Sequence, residues 1–178
     1  MKTTMTIFCC AAIALLIGCS KPAEPDSNGS ASESKPSANG DQYLVSAEPA
    51  DGKDVIAVRK SAKDGDEIVI IGRIGGSSNP WVEGRAAFYI VDRSLKACND
   101  IPGDMCPKPW DYCCETSKLP TSIALVKVVG ENGKLVSTDA RELLKVKPLN
   151  TVVIKGLAVR DDAGNLTVLA NQIHIKKS

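Results

Sequence analysis

Two strand-like runs each carry a glycine in mid-run, and this constrains the fold more than any other feature of the sequence. Glu67–Ile74 is rich in β-branched residues and holds Gly72, while Thr151–Val159 holds Gly156. Glycine weakens a flat strand, so its use there marks a bend or bulge where a strand coils round a closed barrel. Three further strands read from the same pattern: Ala86–Val91, Ile123–Val129 and Leu166–Ile175. Arg160–Asn165, with Gly164 before its end, forms a hairpin loop between the last two strands. A short helix precedes the first strand, with Val55, Val58 and Ala62 on one face and Asp51 or Asp54 as its cap. A second helix covers Asp139–Lys145, with Asp139 and Glu142 at capping-box spacing.

The expected fold is mainly β: a five-stranded, OB-like antiparallel barrel with one helix before the first strand and another between the third and fourth. That order is the OB order. The phrase Asp64–Gly72 resembles the G-x-x-V-x-V-x-G entry into the first strand of many OB-like domains. An open antiparallel sheet or sandwich of the same strands is the competing architecture. A long Cys-rich insert, residues 95–120, separates the second strand from the third.

The amino-terminal residues speak to location. An apolar stretch from Ile7 to Ile17 follows Lys2. At about 11 residues it is too short to cross a bilayer core of roughly 30 Å as a helix, and it suits the apolar region of an export signal. Leu16-Ile17-Gly18-Cys19 resembles the lipobox of bacterial lipoproteins. The resemblance implies cleavage before Cys19, a diacylglyceryl group on its sulfur and an acylated new amino terminus. It also implies a cell-envelope address, and Ser20 after the lipidated Cys points to the outer membrane, facing the periplasm. Residues 1–18 are thus read as a signal peptide, and 19–42 as lipidated Cys plus tether. The tether is dominated by Ser, Pro, Ala, Gly and Asn, which cannot bury enough surface to offset the entropy of ordering. Residues 43–178 are read as the folded domain. With 22 Lys and Arg against 21 Asp and Glu, the net charge is +1. No basic stripe for nucleic acid is visible, so membrane attachment is expected through the lipid alone.

Of the seven cysteines, Cys9 and Cys10 leave with the signal and Cys19 carries lipid. Cys98, Cys106, Cys113 and Cys114 remain, all in the insert. Outside the cytosol an even, clustered set reads as disulfides. Adjacent cysteines rarely bridge each other, which leaves 98–113 with 106–114, or 98–114 with 106–113. A metal site is the rival reading, although the spacing lacks the C-x₂₋₄-C pairs of zinc sites; Met105 beside the thiols would suit soft copper. A redox pair is a further rival. No metal and no cofactor are assigned by the first reading.

Trp81, Arg85, Trp110, Asp111 and Tyr112 are the candidate ligand-binding residues, since OB domains bind over the face of the second and third strands and the loop between the first two strands. The competing reading has both indoles roofing the barrel and packing on the insert. His174, the single histidine, alternates with Ile173 and Ile175 and is expected to face solvent. No triad or carboxylate pair is recognisable, so no catalytic residue is assigned and the case for an enzyme is thin.

Four blocks, Gly72–Gly76, Gly84–Phe88, Cys106–Glu115 and Asp161–Thr167, resemble a family of exported proteins from planctomycete-type bacteria. The resemblance transfers no activity. The expected role is a membrane-anchored extracytoplasmic module that binds an envelope protein or small ligand, with thiol-dependent redox or copper or zinc handling by the Cys cluster as the alternative.

Overall fold

A computed structural model describes residues 39–177. The lipobox with Cys19, the signal and most of the tether lie outside the described residues. In chain order the elements are β1 (Lys53–Asp54), α1 (Val55–Ser61), β2 (Glu67–Ile74), β3 (Ala87–Val91), α2 (Leu119–Ser122), β4 (Ile123–Val128), α3 (Ala140–Leu144), β5 (Thr151–Arg160) and β6 (Leu166–Ile175). Strands β2–β3–β4–β6–β5 pair in that order and β5 returns to β2, closing a five-stranded OB-like barrel. The two-residue β1 adds a parallel strand beside β2, outside the ring. No described helix is long and apolar enough to cross a membrane.

One expectation needs correction. The barrel is mixed, because β4 and β6 run parallel, with Leu125 opposite Thr167 and Val128 opposite Ala170. The reason is parity: a closed ring with an odd number of strands cannot alternate direction at every pair. The α3 crossover between β4 and β5 places the parallel pair at β4–β6.

The barrel core is filled by residues such as Ile70, Ile74, Phe88, Ile90, Val126 and Ile154, all without solvent exposure. Both mid-strand glycines sit at close approaches, of neighbouring backbone at Gly156 and of the Ile90 and Val55 side chains at Gly72. A Cβ on Gly156 would lie 2.2 Å from the Leu169 carbonyl oxygen, and one on Gly72 would lie 2.9 Å from Ile90 Cβ. At Gly156 the β5–β6 register also shifts, which is the bulge expected of a coiling strand.

A seven-residue helix is marginal by itself, so α1 depends on its surroundings. It buries Val55 and Val58 in the barrel core. The expected local cap is not used: Asp54 occupies the N-cap position, yet its carboxylate pairs with Arg93, one bond being 2.9 Å. The capping carboxylate comes instead from Asp92, just after β3, whose Oδ2 accepts the Ile56 N–H at 2.7 Å. At the other end Arg160 donates to the carbonyls of Arg59 and Ala62.

The α3 helix begins as expected at Asp139, whose carboxylate accepts the Arg141 N–H, and it buries Leu143 and Leu144. Lys145, in the left-handed region at φ 56°, ends it. His174 departs from expectation. It is half-buried, with Nδ1 3.0 Å from the Val45 carbonyl, because Tyr43–Val45 runs alongside β6 and covers it.

Candidate functional site

The connection from β3 to β4 spans residues 92–122 and builds a small core of its own. Leu95, Ala97 and Tyr112 pack with Val91, apart from the barrel's main cluster. Its two arms run side by side: Cys98 N–H donates to the Asp111 carbonyl and Asn99 N–H to that of Pro109, both at 2.9 Å. Arg73 on β2 grips Asp100 through both carboxylate oxygens, and Asp100 also accepts the Ala97 N–H. That grip seats the Cys98–Asp100 turn against the barrel. Trp110 fixes the other arm, its indole N–H donating to the Ser78 carbonyl at 3.2 Å. Pro107 and Pro109 further restrict the backbone between Cys106 and Cys113.

These constraints bring sulfurs together. Cys98 Sγ lies 3.4 Å from Cys113 Sγ, and Cys113 Sγ lies 3.9 Å from Cys114 Sγ. The Sγ atoms of Cys98, Cys106 and Cys113 all fall within 4.8 Å of one another. All four cysteines stand as free thiols. The 98–113 contact belongs to one of the two disulfide pairings expected from sequence. Exposure is graded: Cys98 is buried, Cys106 half-buried, and Cys113 and Cys114 are exposed. Burial pushes the Cys98 thiol up to about 12, and the thiols of Cys113 and Cys106 add to the shift. It is therefore protonated at neutral pH and a weak nucleophile. No imidazole activates it, since His174 is engaged on β6 and does not belong to the three-sulfur group.

The five candidate ligand residues do not form one surface. Trp81 belongs to the barrel core, its ring 6.1 Å from Phe88 and capped by the Arg141 guanidinium at 5.6 Å. Tyr112 is fully buried in the insert core, and its hydroxyl has no hydrogen-bond partner. Burial pushes that phenol up to about 12. Arg85 is exposed and donates to Ser137 Oγ at 2.9 Å. Asp111 turns its carboxylate back to the Tyr112 N–H at 2.7 Å. Trp110 is half-buried, with Lys108 Nζ 5.8 Å from its ring centre. Trp81 thus belongs to the barrel core, while Trp110 sits half-buried on the insert and is tied to Ser78.

Sequence spacing missed the convergence of Cys106 on the other two thiols. The visible signal was Cys106-Pro107-Lys108-Pro109, which folds the second arm back onto the first. A cleft of about 600 Å³ beside α1 gathers Arg59, Lys60, Lys118 and Arg160. Arg59 and Arg160, however, direct their guanidinium groups to backbone carbonyls, which is a structural use.

No family model and no curated protein matches the chain. Among solved structures, the chain is similar to a protein described as an aspartyl-tRNA synthetase of Leishmania major Friedlin, at 6% identity and a TM-score of 0.39. The match covers 74% of this chain and 21% of that one, so the chain spans about a fifth of that protein's length. A likeness at this level carries no argument about activity.

Proposed function

We propose that the protein is a lipid-anchored module of the cell envelope that binds a partner protein or small ligand through the outer face of the Cys-rich insert. One observation carries the reading. The insert is ordered by its own core and by the Arg73–Asp100 grip, yet it holds Met105 94% exposed and leaves Cys113 and Cys114 open to solvent. A long connection that is merely a link needs no such framework. The anchor half of the proposal rests on the Leu16–Cys19 block and Ser20, which favour an outer-membrane site facing the periplasm.

Two measurements test the two halves. Cys19→Ala is expected to move the protein from the membrane fraction to the soluble fraction of cells; a variant that stays with membranes overturns the anchor. A photo-crosslinking residue at Met105 is expected to give discrete adducts in cells, and one at Leu157, exposed on β5, is expected to give few. Equal yields at both positions overturn the insert as the contact surface. The convergence of three sulfurs favours the second reading, handling of a soft metal by the same insert.

A further inference from the structure

We propose that Cys98, Cys106 and Cys113 form a three-thiolate site for a soft monovalent metal ion, copper(I) in particular. The inference rests on the insert being the binding surface and names what its inner rim binds. Geometry comes first. Metal–sulfur bonds of about 2.3 Å place the sulfurs of a trigonal site roughly 4 Å apart. Here the three Sγ atoms already lie within 4.8 Å of one another, with Cys98 and Cys113 at 3.4 Å. Small shifts of side chains on a backbone held by the Cys98–Asp111 and Asn99–Pro109 hydrogen bonds would close the triangle.

The donor set selects the class of ion. The group contains sulfur alone, with no imidazole and no carboxylate. Calcium and magnesium need oxygen ligands, whereas thiolates favour soft ions. Structural zinc takes four ligands in a tetrahedron. Cys114 sits 3.9 Å from Cys113 but outside the group that converges, so the described residues offer three ligands at one point. Three-coordination by thiolates suits copper(I).

Access follows from the gradient of burial. Cys98 forms the floor, Cys106 the half-buried wall and Cys113 the exposed rim. Cys114 and the exposed thioether of Met105, next to Cys106, stand outside as soft groups for an arriving ion. Each cysteine that ligates loses its proton to solvent, so loading one copper(I) on three thiols releases three protons without any change of oxidation state. A Cys98–Cys113 disulfide would remove two of the three ligands, making the oxidised and metal-loaded forms mutually exclusive.

The test uses full-length protein extracted from membranes in detergent, reduced under argon and titrated with copper(I) against the chelator bicinchoninate. One copper(I) per chain is expected. Cys106→Ser and Cys113→Ser should each weaken binding at least about 100-fold, since even outer-shell changes cost metal sites 10–100-fold. Cys114→Ser should change it less than about tenfold. Wild-type affinity in either of the first two variants overturns the site, as does an equal loss in Cys114→Ser. So does preference for zinc over copper(I) in the same competition, or reduced protein that takes up no copper. Crosslinking from Met105 in the Cys106→Ser protein keeps the two proposals separate: adducts that persist while copper is lost support both, and adducts that persist in protein whose wild type binds no copper overturn only the metal site.

Discussion

Replacing Gly156 by alanine is expected to cost about 3 kcal/mol of folding stability, and by valine to prevent the native barrel from accumulating. The new Cβ would stand 2.2 Å from the Leu169 carbonyl oxygen, 2.8 Å from its carbon and 3.0 Å from Ala170 Cα. All three atoms are backbone of the neighbouring strand, so no flexible side chain can swing away. The collision falls at the register shift between Lys155 and Gly156, where β5 and β6 must stay in contact for the ring to close. Relief would require separating β6 from β5, and β6 also carries the parallel pairing to β4. Urea unfolding followed by circular dichroism gives the comparison. Gly133→Asn is the control: it lies at φ 71° with nothing within 4 Å of an added Cβ, and asparagine tolerates that region. An alanine variant within about 1 kcal/mol of the parent would falsify the close-approach account.

Removing the Asp92 carboxylate should have the second-largest effect, roughly 3 kcal/mol for Asp92→Ala. Asp92 is only 3% exposed. It accepts the Ile56 N–H at 2.7 Å, the Ser94 N–H at 3.0 Å and the Ser94 hydroxyl at 2.6 Å. Alanine leaves the partly buried Ile56 and Ser94 N–H donors without their acceptor and uncaps α1. Asparagine rescues little, because one of its two terminal atoms is an amide nitrogen facing a donor. Burial by itself would raise the carboxyl. The bonds from Ser94 and Ile56, with the charge of Arg93, outweigh burial and hold it below the ordinary carboxylate range. A group depressed in the folded state stabilises fully above its unfolded value, about 4 for aspartate. That stabilisation is lost as pH falls through the folded value. Asp100, held down chiefly by its bond from Arg73, and Asp139, held down chiefly by Arg141, act in the same sense. Stability should therefore drop below about pH 4, and less steeply in Asp92→Asn than in the parent. Parallel acid-unfolding curves for the two proteins would contradict this assignment.

Strand content and strand order were legible in the sequence because both depend on local pattern. Glu67–Ile74 and Leu166–Ile175 are the strands expected, residue for residue, and Gly72 and Gly156 mark real close approaches. Long-range choices were not legible. The local signal for capping α1 was Asp54, but Arg93 claims that carboxylate and its neighbour Asp92, 36 residues along the chain from Ile56, supplies the cap. His174 alternates with apolar neighbours as an outward residue should, yet the segment at Val45 covers it. In the insert, spacing describes distance along the chain only. The pairing of Cys98 with Asp111, and the grip of Arg73 on Asp100, bring Cys98 and Cys113 together despite the fourteen residues between them.

The separation of the two cores has a consequence for how the molecule opens. Because Leu95, Ala97 and Tyr112 pack with Val91 outside the barrel cluster, the insert can behave as a unit of local unfolding with its own free energy. Amide exchange in residues 95–115 would then run ahead of exchange in β4–β6 without the barrel melting. Opening of the insert would break its contacts with Val91, Ile56 and Ile123 and the Arg73–Asp100 grip, while every strand pairing of the closed ring stays in place.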